Sequence, residues 1–372
     1  MPGLDPFYAT FNNPKNTVIA CVGDSTTFGT NTTNLLGWPG ALRTLMTPRW
    51  GNGGDGLHTR DRNTTMTTGS DAWTLATTSN TWDCAPCLSA FTFSNAGTWL
   101  GNTATKIATW TKPSFLTVNA FYIWAVDGTS AGNFSYSTDG GTTWLNVSAT
   151  WTGSNTLKRI LVPTQITGTN TIKIRGANAT GTAVNCYLAG IEPITNSTAP
   201  ILHNLGAPGE DTASFVRTTS GNWHAFFDLL QPPLVFYMIT NDESFWEAFG
   251  GDLRPAFQAK METLATMVTG YGGCMVFMNF FEQAGRDVTM QAEMRVLVKT
   301  VAAEYGMPVI DFYDLVGNNA ATVAAGYMLA GDVHPTDAGA TFMAQQIWKL
   351  IAKSGVGATN QSRKKALGSP PH

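Results

Sequence analysis

The chain has 372 residues and a formal net charge of −3, from 22 Lys+Arg against 25 Asp+Glu. Charged residues are only 13% of it, against about 25% in an average soluble domain, and this near-neutral balance excludes a protein built to neutralise phosphates along a nucleic acid. There is no apolar run of about eighteen residues and no basic start followed by an apolar stretch, so neither a membrane span nor a secretory signal is expected.

Residues 17–22 form a short continuous apolar run, the pattern of a strand buried on both faces. The run leads into Gly23-Asp24-Ser25, and a helical stretch over about 38–47 follows. The segment Gly51-Asn52-Gly53-Gly54-Asp55-Gly56 is glycine-rich but does not follow a strand as a phosphate loop must; it reads as a flexible exit or a cleft rim. From 61 to 194 the character changes. Thr, Ser, Asn, Gly and Trp dominate, and alternating segments at 121–126, 133–137, 144–147 and 171–175 are separated by turn signals such as Asp127-Gly128 and Asp139-Gly140-Gly141. Short strands at such spacing predict a β-sandwich or jelly roll.

This middle stretch holds Trp73, Trp82, Trp99, Trp110, Trp124, Trp144 and Trp151. Exposed, such rings stack on sugars; buried, they are ordinary sandwich core. Both readings stay open. Cys84-Ala85-Pro86-Cys87 lacks the second pair that a zinc site needs, and in an oxidising compartment Cys186 is available to pair with one of the two. Cys21 and Cys274 fall in apolar runs and read as inert core.

After 195 the α/β pattern resumes. Apolar runs at 201–203, 234–239, 274–278 and 308–311 alternate with helical stretches at 252–269 and 288–305, and a last helix is expected near 336–353. Alternation of this kind predicts a parallel sheet with helices on both faces, and ligands of such sheets bind beyond the carboxyl ends of the strands. The chain therefore divides into one α/β unit made of 1–60 and 195–355, an inserted β-rich unit over 61–194, and a tail over 356–372 expected to be a mobile end.

Four features fall at carboxyl strand ends. Ser25 closes the first strand; a hydroxyl there faces a cleft but needs a positioned base to act as nucleophile, and the bland alternative is a helix-capping serine. Gly331-Asp332-Val333-His334-Pro335-Thr336-Asp337 precedes the last helix, so His334 sits in a proline-fixed loop from which a general base can reach across the sheet edge. The alternative is a surface histidine beside Thr336 or Asp337 capping the helix. Strand two runs into Asn204-Leu205-Gly206-Ala207-Pro208-Gly209-Glu210-Asp211-Thr212, and strand three into Thr240-Asn241-Asp242. A glycine N–H and an asparagine amide are the donors that an acyl-transfer oxyanion requires.

These four blocks, in this order, resemble those of the SGNH/GDSL hydrolase superfamily of esterases and lipases. The resemblance covers roughly 1–60 and 195–355 and implies a flavodoxin-like three-layer α/β/α fold. It implies Ser25 as nucleophile, His334 as base, and an oxyanion hole from the Ser25 N–H, Gly209 and Asn241. Two departures stand out. The acid of the family's triad stands three residues before the histidine, where this chain has Gly331; Asp332 stands two before. Either Asp332 reaches the imidazole after a loop shift, or a backbone carbonyl or another acid holds the ring in a Ser–His dyad. The β-rich insert is also larger than the usual loop of the fold.

The expectation is a serine esterase cleaving short acyl esters, O-acetyl above all, on a carbohydrate polymer gripped by the insert, with no metal and no cofactor. The partner is thus a glycan or other acylated polymer, with no nucleic acid and no membrane span; compartment and oligomeric state stay open, a phage-tail or extracellular setting being one reading. The rivals are a lipase or thioesterase acting on longer chains, and a non-catalytic glycan-binding or structural virion protein that keeps the hydrolase fold.

Overall fold

The computed structural model describes residues 17–33, 36–54, 56–57, 74–77, 83–84, 99–111, 117–128, 131–154, 156–166, 171–206, 208, 211–216, 223–238, 240 and 254–366. The chain opens with β1 (Val18–Gly23), α1 (Ser25–Phe28) and α2 (Gly37–Trp50). Ten strands follow: β2 (Thr74–Thr77), β3 (Asp83–Cys84), β4 (Trp99–Gly101), β5 (Ile107–Thr111), β6 (Ala120–Val126), β7 (Ser135–Ser137), β8 (Leu145–Asn146), β9 (Leu157–Val162), β10 (Thr171–Arg175) and β11 (Cys186–Ile194). Then come β12 (Ile201–Gly206), α3 (Thr212–Val216), α4 (Trp223–Leu230), β13 (Leu234–Met238), α5 (Arg254–Gly270), β14 (Cys274–Asn279) and α6 (Val288–Glu304). The chain ends with β15 (Val309–Asp311), α7 (Phe312–Val316), α8 (Asn319–Ala324) and α9 (Asp337–Ala366).

The five apolar runs make one parallel sheet in the order β12-β1-β13-β14-β15. Leaving out the intervening β-rich strands, this is the 2-1-3-4-5 order of flavodoxin-like sheets. Each run is continuous because both of its faces are covered. Ile19, Cys21, Phe236 and Val276 point into a core shared with Trp38 and Leu42 of α2 and Ile347 and Ile351 of α9. Ala20, Val22, Val235 and Met275 point the other way, toward Met261 and Leu264 of α5 and Val298 of α6.

The strands between α2 and β12 form two five-stranded sheets, β2-β5-β10-β7-β8 and β3-β4-β11-β6-β9, with antiparallel pairing. They share a core of Trp110, Phe121, Ile123, Phe134, Ile172, Ile174 and Leu188. The second sheet is buried on its other face as well: Trp124 and Val126 of β6, and Tyr187 and Ala189 of β11, belong to the same core as Val22, Leu205 and Phe226. All nine residues of β11 are buried for this reason. A bulge between Leu188 and Gly190 shifts its alternation, so that Cys186, Leu188 and Ile191 face the sandwich core.

Some expectations change. Trp110 and Trp124 are fully buried, which removes them as sugar platforms. Trp144 and Trp151 are half-buried, and Trp99 lies in β4. Trp73, Trp82 and Cys87 lie outside the described residues. Cys186 is a buried free thiol in the sandwich core, as Cys21 and Cys274 are in the sheet, so it is not a disulfide partner here; burial pushes the Cys21 and Cys186 thiols well up. The last helix continues through Ala366, past the end expected near 353, because Gln361, Arg363, Lys364, Lys365 and Ala366 are strong helix formers. No helix among the described residues is long and apolar enough to cross a membrane.

Candidate active site

Gly23 ends β1 where a side chain has no room: a Cβ there would lie 2.1 Å from the Met238 carbonyl oxygen and 2.1 Å from Thr27 Oγ1. The chain then turns directly into α1, with Asp24 as its N-cap and Ser25 as its first residue. As first helical residue, Ser25 has an N–H with no intrahelical acceptor.

Asp24, fully buried, does more than cap. Its Oδ1 accepts from Thr26 N–H at 2.9 Å and Thr26 Oγ1 at 2.7 Å. Its Oδ2 accepts from Thr240 N–H at 2.5 Å and Thr240 Oγ1 at 2.6 Å. The residue before the serine is thereby bonded to the residue before Asn241, and β1 and β13 are tied at their carboxyl ends. The sequence reading assigned Asp24 and Thr240 no role. Asn204 is a strand residue whose amide donates to the Phe28 carbonyl at 3.3 Å, which holds α1 against β12. Gly209, Asn241 and Asp242 lie outside the described residues, as does His58.

His334 reaches across the sheet edge. Its Nε2 stands 2.9 Å from Ser25 Oγ, and its Nδ1 stands 3.1 Å from Asp332 Oδ1. An ionised carboxylate only accepts, so Nδ1 carries the proton and Nε2 is left to accept from the serine hydroxyl. The two-residue spacing closes because the Asp332 carboxylate folds back over its own loop, onto the backbone and ring of the residues that follow it. The same Oδ1 accepts from Val333 N–H at 2.7 Å and His334 N–H at 3.0 Å, while Oδ2 accepts from Asn31 Nδ2 at 2.5 Å. Side-chain exposure is 20% for His334 and 26% for Asp332.

Partial burial works to raise the Asp332 pKa, but the His334 backbone N–H, the His334 ring and the Val333 N–H outweigh it and hold the carboxyl below its ordinary value. The folded value lies under the unfolded one, so the stabilisation is complete above about pH 4 and is lost as pH falls through the lower folded value. Asp332→Asn is therefore expected to melt below wild type at neutral pH and to converge with it only as the pH falls below the ordinary carboxylate range. Thermal melts of both proteins from neutral pH to below that range check this; a gap that persists in acid would mean that the charge is not its source.

Other groups hold the loop that carries His334. Gln283 and Gln291, both buried, are paired: Gln283 N–H donates to Gln291 Oε1 at 2.8 Å, and Gln291 Nε2 donates to the Gln283 carbonyl at 3.3 Å. Gln283 Nε2 then donates to the Val333 carbonyl at 3.2 Å. Thr336 Oγ1 accepts from Gly339 N–H at 3.2 Å and caps α9. Among the described residues no group of three or more His, Cys, Asp or Glu is arranged to hold a metal ion.

The 2-1-3-4-5 parallel sheet carries the Ser25–His334–Asp332 line at its carboxyl edge, where ligands of such sheets bind. A solved peptidoglycan O-acetylesterase superimposes with a TM-score of 0.66 at 13% identity, over 95% of this chain and 96% of that one. The likeness therefore includes the β-rich insert as well as the parallel sheet. A lipase/acylhydrolase from Enterococcus faecalis matches at a TM-score of 0.33 and 18% identity over 41% of this chain and 76% of that one. An acetylxylan esterase from Geobacillus stearothermophilus matches at 0.35 and 17% over 41% and 72%. No family model matches the chain, and no curated protein matches its sequence.

Proposed function

We propose that the chain is a serine esterase that removes short acyl groups, acetyl above all, from a carbohydrate polymer. One observation carries the reading: the hydrogen-bonded line from Ser25 Oγ through His334 to Asp332. Ser25 Oγ attacks the ester carbonyl as His334 Nε2 takes its proton. Asp332 holds the Nδ1–H tautomer and balances the imidazolium that forms. The oxyanion is held by the Ser25 N–H, the Gly209 N–H and the Asn241 amide. The Asp24–Thr240 bonds support the last of these, because they fix the residue next to Asn241. The imidazolium gives its proton to the departing sugar oxygen as the sugar leaves; water then attacks the acyl-enzyme as His334 Nε2 takes its proton, and that proton returns to Ser25 Oγ as the acid is freed.

The substrate class follows the peptidoglycan O-acetylesterase, whose likeness spans nearly both chains. On this reading 1–60 and 195–355 are the hydrolase unit and 61–194 holds the polymer. Among the described residues of the insert, Trp144 and Trp151 are half-exposed; Arg175 already lies 4.1 Å over Trp144 and Phe134 packs on Trp151, so a sugar would stack on the ring surface these leave open.

A panel of p-nitrophenyl esters, run beside acetate release from O-acetylated peptidoglycan and acetylated xylan, tests the proposal. Turnover is expected to be fastest for acetate and to fall with acyl length, with acetate released from at least one polymer. Preference for long chains would replace the reading with a lipase, and inertness toward every ester and polymer would leave the glycan-binding protein.

A further inference from the structure

Asn31 is exposed, lies on the loop that follows the nucleophile helix, and has a left-handed φ of +68°. Side chains other than glycine seldom sit there, although asparagine tolerates it best. The turn around it is made by Thr32. The Thr32 N–H and Oγ1 both donate to the Gly29 carbonyl, at 2.9 Å and 2.6 Å, and Thr32 Oγ1 accepts from Gly37 N–H at 2.9 Å. So held, Asn31 Nδ2 donates to Asp332 Oδ2 at 2.5 Å. Two residues on, Thr33 N–H and Oγ1 donate to Asp337 Oδ1 and Oδ2 at 2.8 Å and 2.5 Å. The nucleophile loop thus grasps the carboxylates on either side of His334.

We infer that Asn31 is the positioning residue that makes an acid two residues before the histidine serviceable. The inference rests on the esterase reading and deepens it. Asp332 is bonded to three donors of its own loop through Oδ1 alone. Those donors leave rotation about the side chain to be decided at Oδ2, and Asn31 decides it from across the cleft. With Oδ2 fixed, Oδ1 stays opposite the imidazole Nδ1–H, and Nε2 stays aimed at Ser25. Thr33 and Asp337 brace the same loop one turn further along.

A double-mutant cycle on p-nitrophenyl acetate hydrolysis tests this, because a residue acting through Asp332 has nothing left to do once that carboxylate is gone. Asn31→Ala is expected to lower kcat about tenfold with KM unchanged, the scale of a hydrogen bond to a charged group. In an Asp332→Ala background the same change is expected to cost nothing further. Equal losses in both backgrounds would overturn the inference and leave Asn31 as a loop-holding residue. A second measurement does not need turnover: the downfield Nδ1–H proton resonance of His334, assigned by its absence in His334→Gln, is expected to shift or broaden in Asn31→Ala. An unchanged resonance overturns the inference. Ser25→Ala separates the two failures: full activity in that variant sinks the esterase reading itself, whereas an inactive Ser25→Ala beside a fully active Asn31→Ala sinks only the role of Asn31.

Discussion

Ser25→Ala is expected to lower kcat/KM for p-nitrophenyl acetate by about three orders of magnitude or more, while moving the melting temperature by no more than about a degree or two. The asymmetry follows from what the hydroxyl touches. Its bond at 2.9 Å is to His334 Nε2, a half-buried ring that keeps its Asp332 partner when the serine is gone. Alanine at the first position of a helix is well tolerated, and the cap belongs to Asp24. The variant should therefore fold, retain its polymer affinity and fail at chemistry. His334→Ala should fall to a similar level, and the double variant should be no worse than either single one, because on the proposed mechanism the two side chains act as one unit. Steady-state rates with the four proteins decide it. Additive losses would mean that Ser25 and His334 act in separate steps, and a Ser25→Ala rate equal to wild type would end the proposal.

The legible part of this site was chemical identity, and the illegible part was geometry. A glycine turn after a doubly buried strand marks Ser25, and a histidine locked ahead of a proline marks His334; both signals are local. Asp332 is different. Whether a carboxylate two residues away reaches an imidazole depends on how the backbone folds between residues 332 and 334, which the letters do not carry. Asn31 was invisible for a related reason. In the tract Asn31-Thr32-Thr33-Asn34 its neighbours have the same loop-forming character, and only the fold brings it to residue 332. Asp24 was named within the motif but given no work, since its partner Thr240 lies on another strand.

For the fold, the parallel strands were legible because burial on both faces leaves a continuous apolar run. β11 has the same burial but reads as a broken segment, because Gly190, Glu192 and Pro193 interrupt it. Those residues are tolerated by particular arrangements: the glycine at a bulge, and the glutamate on an arginine. β9 was missed because its middle is only half-covered, and Leu161 is 49% exposed. The tryptophans divided by face, which composition cannot report. Trp124 points at the α/β core from one side of β6, while Phe121 and Ile123 point into the sandwich from the other.

That division makes the junction between insert and parallel sheet the place where a single change should cost most stability. Glu192 is fully buried there. It accepts from Trp124 Nε1 at 2.8 Å and from Arg159 Nε and Nη2 at 2.8 Å and 2.6 Å. His203 of β12 turns its Nε2 toward the same carboxylate at 3.5 Å, while its Nδ1 accepts from Leu57 N–H at 3.2 Å. Trp124 stacks on Phe226 of α4 at 5.3 Å. Burial alone would raise the Glu192 pKa; His203 and Arg159 outweigh it and hold the carboxyl down at about 2. Glu192→Ala strands Arg159 and the indole N–H together, and is expected to cost about 3–5 kcal/mol, the usual cost of breaking a buried pair. The melting temperature should fall by on the order of ten degrees. Glu192→Gln keeps an acceptor for Trp124 and most of the volume, so its loss should be smaller and should depend on pH. The charge contributes fully above the unfolded value of about 4.3 and is lost as pH falls toward about 2, so the gap between wild type and Glu192→Gln should close in acid. For the same reason, deletion of 61–194 should not leave a working hydrolase: it removes Trp124, Val126, Leu157, Tyr187 and Ala189 from the core that covers Phe226 and Leu205. Calorimetry on wild type should show the insert and the parallel sheet melting in one transition. Two separated transitions, or a folded and active deletion variant, would show that the junction is only a contact between independent units.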